Sequence, residues 1–86
     1  MIDNYKEVQE VFAERFSEVE DMIAKKHHIT LAAIAEKIGI NPTTAYAWRR
    51  YGRSLPRTGE LRNICLKLGV SADYLLGLND YKGIRR

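Results

Sequence analysis

Thr43, Tyr46, Ala47 and Arg50 are spaced so that, at about 100° per residue, all four fall within about 60° of one line along a helix. Ala45 and Trp48 lie on the opposite side of that helix, so one face is made for a core and the other is free. The free face suits the edges of base pairs. A threonine hydroxyl bonds either base edge, an alanine methyl meets the thymine methyl, and an arginine guanidinium bonds guanine bidentately. Arg53 and Arg57, just beyond the helix, are placed to reach phosphates, which fix register without reading sequence. Tyr46 divides evenly between reading a base and covering the surface. Trp48, opposite Thr43, has the position of a buried anchor rather than a stacking platform.

Other chemistry has little support in these residues. No Ser/His/Asp set, paired-carboxylate pocket or phosphate-cradling glycine loop is present, so enzymatic activity is not expected. His27 and His28 are adjacent and project differently from a helix, and Cys65 falls on an apolar stripe. They read as a helix end and a small core residue, with no metal site, cofactor or small-molecule ligand expected.

The charge is segregated along the chain. Residues 1–24 carry two basic against seven acidic side chains, residues 25–57 seven basic against Glu36 alone, and residues 58–86 five basic against three acidic. The local balances of −5, +6 and +2 add to the net +3. A polyanion would be repelled by the first segment, whereas the second is the footprint of a phosphate-facing surface or of basic residues solvating exposed faces.

The elements that position the free face must come from a short chain. With 86 residues, 45% of them hydrophobic, this is a single small domain that buries only about 60% of its unfolded surface. A deep substrate pocket is not expected. One cysteine excludes an internal disulfide, no window approaches a membrane span, and Met1–Asn4 lacks the order of a signal peptide. A reduced, cytoplasmic protein is expected.

Apolar residues recur at helical spacing throughout, and no alternating β-branched run argues for a strand, so the fold is expected to be all-α. Gly39, Gly52, Gly69 and Gly77 each follow an apolar periodic segment and mark helix ends. Thr30 precedes the stripe Leu31, Ile34, Ala35 and Ile38, which stops at Gly39. Asn41 as N-cap and Pro42 at the first helical position then open a helix expected to run to about Tyr51. The intervening turn is so short that the two helices cross steeply as a helix-turn-helix, and Ala35 allows their close approach. Thr58 is a plausible cap for the stripe Leu61, Ile64, Cys65 and Leu68, and Ser71 caps a last helix closed by Gly77. Residues 79–86 are expected to fray. Near the N-terminus, Tyr5, Val8, Val11, Phe12, Phe16, Val19, Met22 and Ile23 form a nearly continuous stripe that favours one long helix. Against it, Ser17-Glu18-Val19-Glu20 reads as a capping box, so a bend near Ser17 is expected.

With these segments in order, the sequence resembles the phage repressor and Cro-like helix-turn-helix domains over about Phe16 to Leu78. The resemblance rests on Thr30-Leu-Ala-Ala-Ile-Ala-Glu-Lys-Ile-Gly39, the recognition-like helix after it, Pro56, and the closing Leu68-Gly-Val-Ser-Ala-Asp-Tyr-Leu-Leu-Gly77. It implies a five-helix, lambda-repressor-like domain that binds operator DNA, usually as a dimer on a two-fold symmetric site. The family's base-reading positions fall on Pro42, Thr43, Tyr46 and Ala47, and its phosphate contacts nearest Arg50, Arg53 and Arg57. The chain departs from the pattern at Ala45, where a larger aliphatic is usual and Trp48 can fill the space. The recognition-like helix also runs one or two residues longer than is common, and Pro42 and Ala47 donate no side-chain hydrogen bonds. With only a short tail after Leu78, the separate assembly or cleavage domain of larger repressors is not expected.

The expected organisation is an N-terminal helical extension over 1–15, a helix-turn-helix domain over 16–78 and a tail over 79–86. Tyr5, Val8, Val11 and Phe12 exceed what the five-helix domain requires, which points to a dimer interface. The expected function is a sequence-specific transcriptional regulator of phage, prophage or bacterial repressor type, binding double-stranded DNA as a homodimer through helix 42–51. The alternative is a protein-interaction module on the same fold, such as an antitoxin.

Overall fold

Hydrophobic stripes and caps divide the described residues into five helices: α1 (Asn4–His27), α2 (Leu31–Ile38), α3 (Pro42–Trp48), α4 (Thr58–Leu68) and α5 (Ala72–Leu75). The computed structural model describes residues 4–50 and 54–83, with side chains from Glu7 onward, and no strand occurs among them. The all-α, five-helix expectation is met. None of the described helices is long and apolar enough to cross a membrane.

The N-terminal stripe forms one unbroken helix, and Ser17 lies inside it instead of starting a second. The capping-box reading fails because the acid it needs is used elsewhere: Glu20 points into the core and pairs with α3. The expected division after residue 15 falls inside α1, where Phe12 and Phe16 are both fully buried. Their rings stack at 5.2 Å, and Trp48 meets them edge-on at 6.3 and 5.7 Å. This aromatic cluster ties α3 to α1, with Ile34, Ile38, Ile64 and Leu75 completing the core. Phe12 is therefore consumed within the chain and cannot serve a dimer interface. Val11 is also engaged, since a Cβ added at Gly77 would come within 2.9 Å of its Cγ1. The side chain of Tyr5 lies outside the described residues.

The α2–α3 connection follows the local chemistry closely. Thr30 Oγ1 accepts from Ala33 N–H at 3.1 Å and opens α2. Gly39 closes it at φ +86, and Ile40 N–H reaches back to Ala35 O at 2.9 Å. An added Cβ at Gly39 would touch nothing, so glycine is favoured there for its left-handed backbone, not for space. Two residues later Asn41 Oδ1 accepts from Thr43 N–H at 2.8 Å, with Pro42 first in the new helix. α1 ends without glycine: His28 takes φ +55, and Ile29 N–H bonds Ala24 O at 3.1 Å.

Three expected boundaries are corrected. α3 stops at Trp48, about three residues early, because Trp48 packs on α1 and Arg49 turns to α1 carboxylates, while Arg49 and Arg50 N–H groups bond back only three residues. The cap of α4 is Arg57, not Thr58: Arg57 has the extended backbone of a cap, and its N–H donates to Glu60 Oε1 at 2.8 Å. Residues 79–83 do not fray. Arg15 Nη1 donates to the carbonyls of Tyr74 and Asn79, its Nη2 pairs with Asp80 at 3.0 Å, and Ser71 N–H bonds Lys82 O at 2.7 Å. The expected helix end at Gly52 lies outside the described residues.

Candidate nucleic-acid interface

α3 splits its side chains as its spacing demands. Ala45 and Trp48 are buried, at 4% and 2% exposure, and face the core. Pro42, Thr43, Tyr46 and Arg50 are exposed, and Ala47 is half-buried. Tyr46, 56% exposed, lies under the Arg50 guanidinium at 5.3 Å from its ring centre. That cation–π contact holds both groups on the outer face and keeps the guanidinium edge open to an acceptor. A shallow groove continues from Thr43, Tyr46, Ala47 and Arg50 to Ser54. Arg57 is exposed at the start of α4, and Arg53 lies outside the described residues. The structure thus brings Pro42, Thr43, Tyr46, Ala47 and Arg50 onto one surface.

Charge is distributed less simply than along the sequence. Arg49, in the strongly basic segment, is taken out of service: its guanidinium bonds Glu20 Oε1 at 2.9 Å and Asp21 Oδ1 at 3.0 Å. Lys26, Lys37 and Lys67 line a separate cleft with Met22, Ile29 and Leu68, and none of these residues belongs to the α3 groove. The +6 segment is therefore not one phosphate-facing surface. Among the described residues that line the α3 groove, Arg50 is charged and none is acidic.

Sequence reasoning missed the Glu20–Arg49 pair. Burial pushes the Glu20 carboxyl up to about 7, with Arg49 opposing the shift. A signal was present, because Glu20 sits one turn after Phe16 on a buried stripe, and an acid in that position needs a partner. Elsewhere, Tyr74 donates to the Glu18 carboxylate, which this bond holds below its usual range. Burial pushes the half-buried Cys65 thiol up. The described residues contain no group of three or more side chains able to hold a metal ion.

The arrangement is that of a scaffold presenting a short, polar, partly cationic helix face beside a tight turn. Comparison with known families agrees with it: residues 22–75, more than half of the chain, match the family model described as helix-turn-helix. Neither a curated protein nor a solved structure matches the chain. A helix-turn-helix geometry built from its own caps and core and a family match across α2 to α5 lead to one conclusion: the chain belongs to the helix-turn-helix family of the phage repressor and Cro type and is a DNA-binding regulator.

Proposed function

We propose that the protein is a repressor-type regulator that recognises a particular double-stranded DNA sequence by laying the outer face of α3 in the major groove. The observation that carries this reading is the partition of α3, with Thr43 and Tyr46 outward while Ala45 and Trp48 anchor it inward, and Arg50 exposed just past its end. On this reading Thr43 and Arg50 address base edges, Ala47 meets a thymine methyl, and Pro42 and Tyr46 shape the contact. Arg53 and Arg57 hold phosphates, and two copies place their α3 helices in successive major grooves about 34 Å apart.

Selection of bound fragments from a random duplex pool, followed by titration of the enriched site, tests the reading. Expected are a preferred palindrome and a steep loss of affinity with added salt. Arg53→Ala weakens all duplexes alike, whereas Thr43→Ala and Arg50→Ala change base preference, each by about 1–3 kcal/mol at one position. Equal small effects from all three, or weak salt-insensitive binding to every duplex beside tight binding to a protein, refute it in favour of an interaction module.

A further inference from the structure

Lys26, Lys37 and Lys67 stand in the last turns of α1, α2 and α4, and the fold brings all three to one cleft of about 500 Å³. All three are exposed, and no ion pair among the described residues uses any of them. The exposed His27 lines the cleft as well, and none of the lining residues is acidic. Its wall is apolar: Ile23 and Ile29 are half-buried and Met22 is 38% exposed, so water reaches side chains that a core would hide.

A basic side chain in a last turn ordinarily answers the negative end of its own helix. Here that role does not use up the charge. Three helix ends contribute about −0.5 each, roughly −1.5 together, against three full positive charges, so about +1.5 is left over the cleft. The volume lies in the range of small-molecule sites, roughly 300–1,000 Å³.

We infer that this cleft binds a small organic monocarboxylate with a compact apolar body, the body lying on Met22, Ile23 and Ile29 and the carboxylate held among the three lysine ammonium groups. The surplus positive charge selects an anion, and the apolar wall selects an anion that carries a hydrophobic body. Every group this needs is open to solvent. Lysine stems are long and flexible, so an exposed ammonium reaches a carboxylate at the rim while the core stays as it is. Met22, unbranched and polarisable, adapts to the shape of the body. No residue of the cleft lines the α3 groove, so the carboxylate binds with or without a duplex, and the site does not rest on the function proposed for α3.

NMR titration of the full, isotopically labelled chain with 2-naphthoate and with 2-naphthylmethylammonium, matched in ring and opposite in charge, is the test. Saturable shifts of the Ile23, Ile29 and Lys37 amides by the naphthoate are expected, with the ammonium about tenfold weaker and acetate, which lacks the body, showing no saturation. Added salt is expected to weaken the naphthoate, because its partners are exposed charges. Lys26→Gln, Lys37→Gln and Lys67→Gln combined are expected to lower naphthoate affinity about tenfold and to bring the two probes level. Met22→Glu, a single change at an exposed lining position, is expected to weaken the naphthoate severalfold. No saturable naphthoate shift, shifts confined to other parts of the chain, equal binding of naphthoate and ammonium, acetate binding as tightly, or undiminished binding in both variants overturns the site. So does displacement of the naphthoate by a DNA duplex, which would assign the three lysines to phosphates.

Discussion

Glu20 shows how one side chain can carry two opposed demands. It occupies the core-facing stripe of α1, where burial disfavours its charge, yet its carboxylate holds Arg49 at the end of α3. Replacing such a pair by apolar groups can be neutral, whereas removing one partner strands the other. Because its folded midpoint, about 7, lies above the ordinary value of 4.5, the folded state binds the proton more tightly than the unfolded chain. The resulting stability is complete below the unfolded midpoint and is lost as pH rises through about 7. Circular-dichroism melts at pH 5 and pH 8 are expected to show Glu20→Gln losing less melting temperature than the parent over that interval. Glu18, held low by the Tyr74 hydroxyl, acts in the opposite sense and loses its contribution on acidification, so the comparison belongs at pH 5 and above.

At the scale of elements, α3 is the instructive case. Seven residues are too few for a helix to persist alone in water, so its order comes from its cap and from what it packs against. Asn41 supplies the cap through its bond to Thr43 N–H at 2.8 Å, and Pro42 follows it without wasting a donor. Asn41→Ala is expected to cost about 1 kcal/mol, read as a lower denaturant midpoint at unchanged slope. Its duplex affinity should fall too, because Thr43 sits in the turn that would loosen. The start of α3 was legible because cap and proline are local signals. Its end was not, since Trp48 and Arg49 answer to α1, over 25 residues earlier in the chain.

At the scale of the molecule, the segment after α5 closes the structure by returning to α1. Arg15 gathers Tyr74 O, Asn79 O and Asp80, and stacks over the Tyr74 ring at 4.4 Å, while Ser71 N–H donates to Lys82 O. Ending the chain at Leu78 is therefore expected to cost about 1 kcal/mol in urea unfolding, from the lost Arg15 and Ser71 hydrogen bonds, since water reaches the groups that are freed. Asp80→Ala, removing a carboxylate that is 98% exposed, should cost well under 1 kcal/mol. The same closure changes how the N-terminal residues are to be tested. Deleting residues 1–14 removes Phe12 from the aromatic core, so loss of folding, not loss of association, is the expected result.

The order and kind of the helices, the cap at Thr30, the Gly39–Asn41 turn and the division of α3 into inner and outer faces were all present in residue spacing, because each depends on groups within a few positions of one another. Only the folded chain could decide which charges are spent. Arg49 and Arg50 are neighbours of identical type, yet one is clamped by Glu20 and Asp21 and the other lies over Tyr46 on the open face. Ion pairs and buried cavities arise where distant segments meet, and no local pattern records how the core brings those segments together.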